Sequence, residues 1–322
     1  MYNQCIFHEM NKNKIYIYLY IYLIITLIYI YYFIMIKNKN KPSKRFKNLQ
    51  CKPGKELQFS CFTSKALHDI KTAWNIRHPD AAIESTDVKE IWEKIKDNMN
   101  NVCDKESCWY KELISKTSKH LLNYFAPEMP NKWKKKPREW LNSSDITNVM
   151  KQYEDTFPYF TFLGPSPIDF DKKLNGNVCV FDELCNFNLN TYLNSDNKKT
   201  KIGMIFNTDK HDEPGSHWVS LFINIKKMFI FFFDSTGTEP QPEIIKLIDR
   251  IKNQGTQIGI TFNVHINDME HQKKNTECGI YSIFMISHLV QEIMSPLDFF
   301  NKRIPDDDVF QFRKIFFNEH EL

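Results

Sequence analysis

Residues 201–235 constrain the fold of this chain more than any other stretch. "KIGMIFNT", "HWVSLFINI" and "KMFIFFFDS" are short apolar runs rich in Ile, Val and Phe, the composition of strands buried in a sheet. The second and third are joined through "NIKK", Asn224 to Lys227, which reads as a tight turn and makes the pair an antiparallel hairpin. The midpoint between His217 and Asp234 falls between Ile225 and Lys226. A turn centred there sets the two residues directly opposite on one face, with Cβ atoms about 5 Å apart. A carboxylate so placed accepts a hydrogen bond from the imidazole, which fixes the tautomer and stabilises the imidazolium.

A second stretch, "DMEHQKKNTECGIYSIFMISHLV" (268–290), passes from a polar loop into an apolar helix. Cys278 stands where that helix begins, so the helix dipole and the free N–H groups of the first turn favour a thiolate there. Gly279 leaves clearance for a substrate carbonyl beside the cysteine backbone. Gln272, six residues before the cysteine, carries an amide that can join the Cys278 N–H in stabilising an oxyanion. His217, Asp234, Gln272 and Cys278 thus occur in an order compatible with a cysteine protease. Taken singly, each has a blander reading: a strand histidine, a turn-initiating aspartate, a buried thiol. Their joint spacing is what favours chemistry. Cys179 and Cys185 have no aligned base, His211 sits in a solvated loop, and His265 and His271 have no evident carboxylate partner. No GxSxG elbow supports serine catalysis.

Around these stretches the patterns alternate between helix and strand. "STDVKEIWEKIKDNM" has Asp87 as N-cap and Val88, Ile91, Trp92, Ile95 and Met99 on one helical face. "SSDITNVMKQYE" is a second amphipathic helix, "FTFLGPSPIDFD" is turn-rich, and "QPEIIKLIDRIKNQG" is a helix with Pro242 in its first turn and Gly255 just past its end. "TQIGITFNVHI" is a further strand. This order implies an α+β fold.

The net charge of +4 is unevenly spread. Residues 1–55 hold ten Lys/Arg against Glu9 alone, and the remainder holds 33 basic and 38 acidic side chains. The folded part lacks a basic excess, so nucleic-acid binding is not expected. No CxxC pair or zinc-site spacing occurs among the eight cysteines; no metal or cofactor is expected, and the cysteines are expected to be reduced. Ile15 to Ile36 is an uncharged run of a length that spans a bilayer, followed by Lys37, Lys39, Lys41, Lys44, Arg45 and Lys47. It reads as a single-pass anchor with the downstream chain in the cytoplasm, and residues 15–47 as a membrane contact. The competing reading is translated upstream sequence with a start at Met35. The resulting organisation is a tail (1–14), a transmembrane helix (15–36), a basic linker (37–59), a helical arm (60–135) and a catalytic domain (136–322).

"GSHWVSLFINI", "FFFDSTG" and "HQKKNTECGIYSIFMI" resemble the Ulp1/adenovirus-protease-like cysteine peptidases, and more particularly the polyprotein-processing proteases of the African swine fever virus type from large DNA viruses. The likeness continues through "KRIPDDDVFQFRKIFF" and, more faintly, "CDKESC". It implies a papain-like, Ulp1-like core of mixed sheet and helices behind a helical arm. It also implies cleavage after Gly-Gly-Xaa sequences in viral structural polyproteins during virion maturation, in the virion and the host cytoplasm. Carried over by position, His217 is the base, Cys278 the nucleophile, Asp234 the orienting residue and Gln272 the oxyanion donor. Trp218 and, in "EWLN", Trp140 match the aromatic walls of a narrow substrate tunnel, although Ser143 stands where an acidic residue is usual. The alternatives are a SUMO or ubiquitin-like isopeptidase and an inactive, membrane-tethered scaffold.

Overall fold

Five strands form one mixed sheet in the order β1-β2-β3-β4-β5: β1 (Phe160–Pro167), β2 (Lys201–Asn207), β3 (Trp218–Asn224), β4 (Phe229–Phe233) and β5 (Asn263–Ile266). β1 runs parallel to β2, β2 to β4 are antiparallel neighbours, and β5 lies parallel to β4. The structure is a computed structural model and describes residues 50–99, 102–103, 105–109, 123–194 and 198–318. The chain divides into two units, Met1–Asn48 and Leu49–Leu322, and every described residue belongs to the second. The anchor expected at 15–36 lies outside the described residues. Among those described, no helix is long and apolar enough to cross a membrane.

The alternation of side chains along the central strands builds two cores. Phe222, Phe231 and Phe233 point to one face, where α3 (Ser143–Thr156) and α5 (Cys278–Val290) cover them. Val219, Leu221, Ile223, Ile230 and Phe232 point to the other, beneath α4 (Pro242–Gln257). Every residue of α5 except His288 is buried, because the sheet, α3 and the C-terminal helices enclose it. Gly203 lets α5 approach β2: a Cβ there would lie 2.9 Å from Ile286 and 3.0 Å from Phe160. A third core joins α1 (Ser64–Arg77) and α2 (Val88–Met99) through Leu67, Ile70, Ile91 and Ile95. Asp87 caps α2, its carboxylate accepting from the N–H groups of Lys89 and Glu90.

Four local expectations are corrected. The turn between β3 and β4 is Ile225–Met228 rather than a tight turn centred on 225/226, because Met228 takes φ 52°. "FTFLGPSP" is a strand, not a turn. The cis Gly164–Pro165 bond falls at a register break between Leu163 and Ser166 on an edge strand, where the missing proline N–H is tolerated. Gly255 does not end α4. A Cβ on it would meet Phe262 at 2.6 Å, so it serves close packing, and the helix runs on to Gln257; the left-handed residue is Gly259, and the following strand shortens to Asn263–Ile266. Cysteines expected to be reduced are paired as Cys51–Cys61, Cys103–Cys108 and Cys179–Cys185. Local folding brings their Cα atoms to 5.0, 5.7 and 6.3 Å, within the span a disulfide bridges.

Candidate active site

His217 immediately precedes β3 and Asp234 immediately follows β4, so both stand at the same end of the sheet. The pairing Ser220↔Phe233 means that the register, extended outward, sets Asp234 opposite Val219. The pair is therefore offset by two residues from direct opposition. An offset of two keeps both side chains on one face, within reach along the diagonal. His217 Nε2 lies 2.8 Å from Asp234 Oδ1. The same oxygen accepts the backbone N–H and the hydroxyl of Thr236, each at 2.8 Å, and Asn267 Nδ2 donates to the Asp234 carbonyl at 2.7 Å. The carboxylate cannot turn away without breaking its bonds to His217 and Thr236.

Cys278 opens α5, is 3% exposed, and is the one unpaired cysteine among the described residues. Its thiol lies near enough to His217 to help raise the pKa of the imidazole. With Nε2 committed to Asp234, Nδ1 is the ring nitrogen left for another partner. Burial pulls the His217 pKa down, but the hydrogen bonds and negative charge of Asp234 and Cys278 prevail and push it up to about 10. The imidazolium is thus the resident form at neutral pH. Such a site can deliver a thiolate to an electrophile and return a proton to a leaving group.

Gln272 is tied to the same strand end. Its backbone N–H donates to the Ser235 carbonyl at 2.7 Å, and its Oε1 accepts from the Ser235 hydroxyl at 2.8 Å. The oxygen end of the amide is occupied, which leaves Nε2 as the end that can donate. Ser235 was invisible as a functional candidate in the sequence, where "DSTG" reads as a turn. Its only signal is its position directly after Asp234.

Trp218 is buried, and its indole N–H donates to the Leu141 carbonyl at 3.1 Å. Trp140 is 38% exposed, with its indole N–H on the Asn275 carbonyl at 2.7 Å. Both line a cleft of about 440 Å³ whose other walls include Pro165, Asn207 and Ser216. Gly279 differs from expectation. A Cβ there would meet Leu141 and Trp218 at 3.2 Å, so the missing side chain lets the cleft wall sit on α5 and is not open space for substrate.

Two further histidines have other duties. His211 Nδ1 pairs with Asp169 at 2.7 Å and borders the cleft, a partnership hidden by the separation of the two in sequence. His271 is fully buried and accepts the Ile304 N–H on Nδ1 at 3.0 Å. Burial and then the Arg303 charge lower its pKa to about 4, which keeps it neutral.

Known proteins resemble the chain in sequence and in fold. Residues 190–322 match the family model described as the Ulp1 protease family, C-terminal catalytic domain. A protein of Acanthamoeba polyphaga mimivirus named as a thiol protease is 29% identical over 244 residues, 72% of this chain and 76% of that protein. A cysteine protease of African swine fever virus is 33% identical over 115 residues, 35% of this chain and 42% of its own length. The crystal structure of the swine fever virus protease superposes with a TM-score of 0.59 at 20% identity, covering 84% of this chain and 95% of that one. The fold is therefore the α+β fold of that protease. Residues 190–322 thus carry an Ulp1-type catalytic domain, and the chain is similar to the cysteine and thiol proteases of large DNA viruses. It is a cysteine protease, and it acts on protein.

Proposed function

We propose that this protein is a viral cysteine endopeptidase that cleaves after Gly-Gly-Xaa sequences in structural polyprotein precursors, with Cys278 as nucleophile, His217 as acid–base and Asp234 as orienting residue. The observation that carries the reading is the His217 imidazole held by Asp234 at 2.8 Å, with its pKa raised by Asp234 and by Cys278 at the start of α5. The Cys278 sulfur attacks the scissile carbonyl carbon. The tetrahedral oxyanion is stabilised by the Cys278 N–H and Gln272 Nε2. Collapse breaks the C–N bond as His217 gives its proton to the departing amine, leaving a thioester. Water, deprotonated by His217, then attacks the thioester and releases the acid and the free thiol. A substrate without side chains at two successive positions suits a cleft walled by Trp140 and Trp218. The setting is virion maturation in the host cytoplasm, with residues 15–47 as the membrane contact.

A second reading, a SUMO-type isopeptidase, is favoured by one observation: a 33%-identical swine fever virus relative carries the name SUMO-1 cysteine protease. Both readings are tested together by offering the full chain Gly-Gly-Xaa peptides and folded SUMO conjugates side by side. Peptide cleavage that disappears in Cys278→Ala is expected. Cleavage of the conjugates alone would transfer the assignment to the second reading, and turnover by Cys278→Ala would refute both.

A further inference from the structure

Arg313 belongs to "QFRKIFF", a motif with no part in the chemistry above. It opens the short helix Arg313–Phe316 and is 2% exposed, deep behind the nucleophile. Its guanidinium holds three acceptors. Nε donates to Glu277 Oε2 at 2.7 Å, one terminal nitrogen to the Glu139 carbonyl at 2.8 Å, and the other to the Thr276 carbonyl at 3.2 Å. Its plane lies over Trp133, 4.2 Å from the ring centre. Glu139 immediately precedes the cleft residue Trp140, and Glu277 immediately precedes Cys278. One side chain therefore ties the residue before the cleft wall to the residue before the nucleophile.

Neighbouring contacts make the tie directional. From the other side, the Trp218 indole holds Leu141, so residues 139–141 are fixed at both ends. Glu277 is fully buried, and its other oxygen takes Arg138 at 3.3 Å; Arg138 in turn reaches Asp307 at 2.8 Å. A buried ion pair is weak grounds for stability, because apolar replacements of similar volume often serve as well. What an apolar pair cannot do is hold three acceptors at fixed angles, and a lysine point charge cannot do so either.

We infer that Arg313 is a positioning residue that sets the spacing between the Trp140 wall and the Cys278 nucleophile, an assignment that rests on the protease reading of this site. Two measurements on the full chain separate positioning from mere support of the fold. Turnover of a Gly-Gly-Xaa peptide uses the cleft, whereas alkylation of Cys278 by iodoacetamide needs only the activated thiol. Arg313→Lys keeps the charge beside Glu277 and loses the fork. It is expected to lower kcat/KM at least tenfold while the alkylation rate stays within twofold. Should Arg313→Lys unfold, the double variant Arg313→Met/Glu277→Leu removes both buried charges together and is expected to show the same split. A kcat/KM within twofold of the parent in whichever variant folds would overturn the inference. So would a parallel fall in turnover and alkylation, which marks loss of folded protein. Cys278→Ala run alongside distinguishes the two failures: turnover that survives it sinks the protease reading, and turnover that it abolishes while Arg313→Lys behaves as the parent sinks only the positioning role.

Discussion

At the scale of single residues, the site is a competition between burial and charge, and charge wins at His217. Its raised pKa makes the alkaline side of the pH–rate profile diagnostic. With His217 as the proposed acid–base, activity is expected to need the imidazolium and to be lost as pH rises through about 10. Asp234→Asn removes a carboxylate that holds this value up, so the alkaline limb is expected to move toward neutrality, with kcat lower on the order of 10²-fold. A kcat/KM profile from pH 6 to 11 checks this. The same shift enters folding stability. The contribution of His217 is fully present below its ordinary value of 6.5 and fades as pH rises from there through about 10, which urea titrations at pH 6 and pH 10 would show. Ser235 is the second residue on which the chemistry leans. Ser235→Ala leaves the buried Gln272 oxygen without its donor and frees the amide to rotate, a loss of about 1–3 kcal/mol for an unsatisfied group. The expected readout is a fall of about tenfold in kcat with KM little changed, given that one oxyanion donor is worth about 10²–10³ when removed outright.

At the scale of elements, Cys278 is placed by how closely α5 can approach the sheet. Gly203 on β2 is a point of close approach, and Gly203→Ala forces a methyl into Ile286 and Phe160. Overpacking of this kind costs about 1–3 kcal/mol. The denaturation midpoint is expected to fall accordingly, and an unchanged midpoint would show that α5 can shift without penalty. The hairpin shows how far counting residues reaches. The face shared by His217 and Asp234 was legible, because strand periodicity is two and any even offset preserves it. The offset itself was not, because it depended on the left-handed conformation at Met228. Likewise the glycine and prolines of "LGPSP" signal a turn locally, and only pairing with β2 makes them a strand.

At the scale of the whole molecule, the described residues from Gln50 onward form one unit in which the arm hydrogen-bonds to the catalytic part, for example from Gln152 to the Phe125 carbonyl. Among the described residues, Cys103–Cys108 lies in the arm, Cys51–Cys61 ties the end of the linker to it, and Cys179–Cys185 lies in the segment between β1 and β2. Peptide mapping without reductant is expected to recover the three linked pairs with Cys278 unlinked, and wholly reduced peptides would contradict the pairing. Reduction should destabilise the arm, with the Cys51–Cys61 loop alone worth about 2–3 kcal/mol through the entropy of the unfolded chain.

The sequence by itself determined the α+β class, the two-faced central hairpin, the helix that begins at Cys278, and the pairing of His217 with Asp234. Those properties follow from local periodicity and from residue types whose chemistry does not depend on context. Tertiary structure alone decided the register of the hairpin, the packing role of Gly279, the hold of Ser235 on Gln272 and the span of Arg313 between Glu139 and Glu277. Each depends on a contact between segments far apart in the chain, and the geometry of such a contact is set by the packing of the elements that carry it.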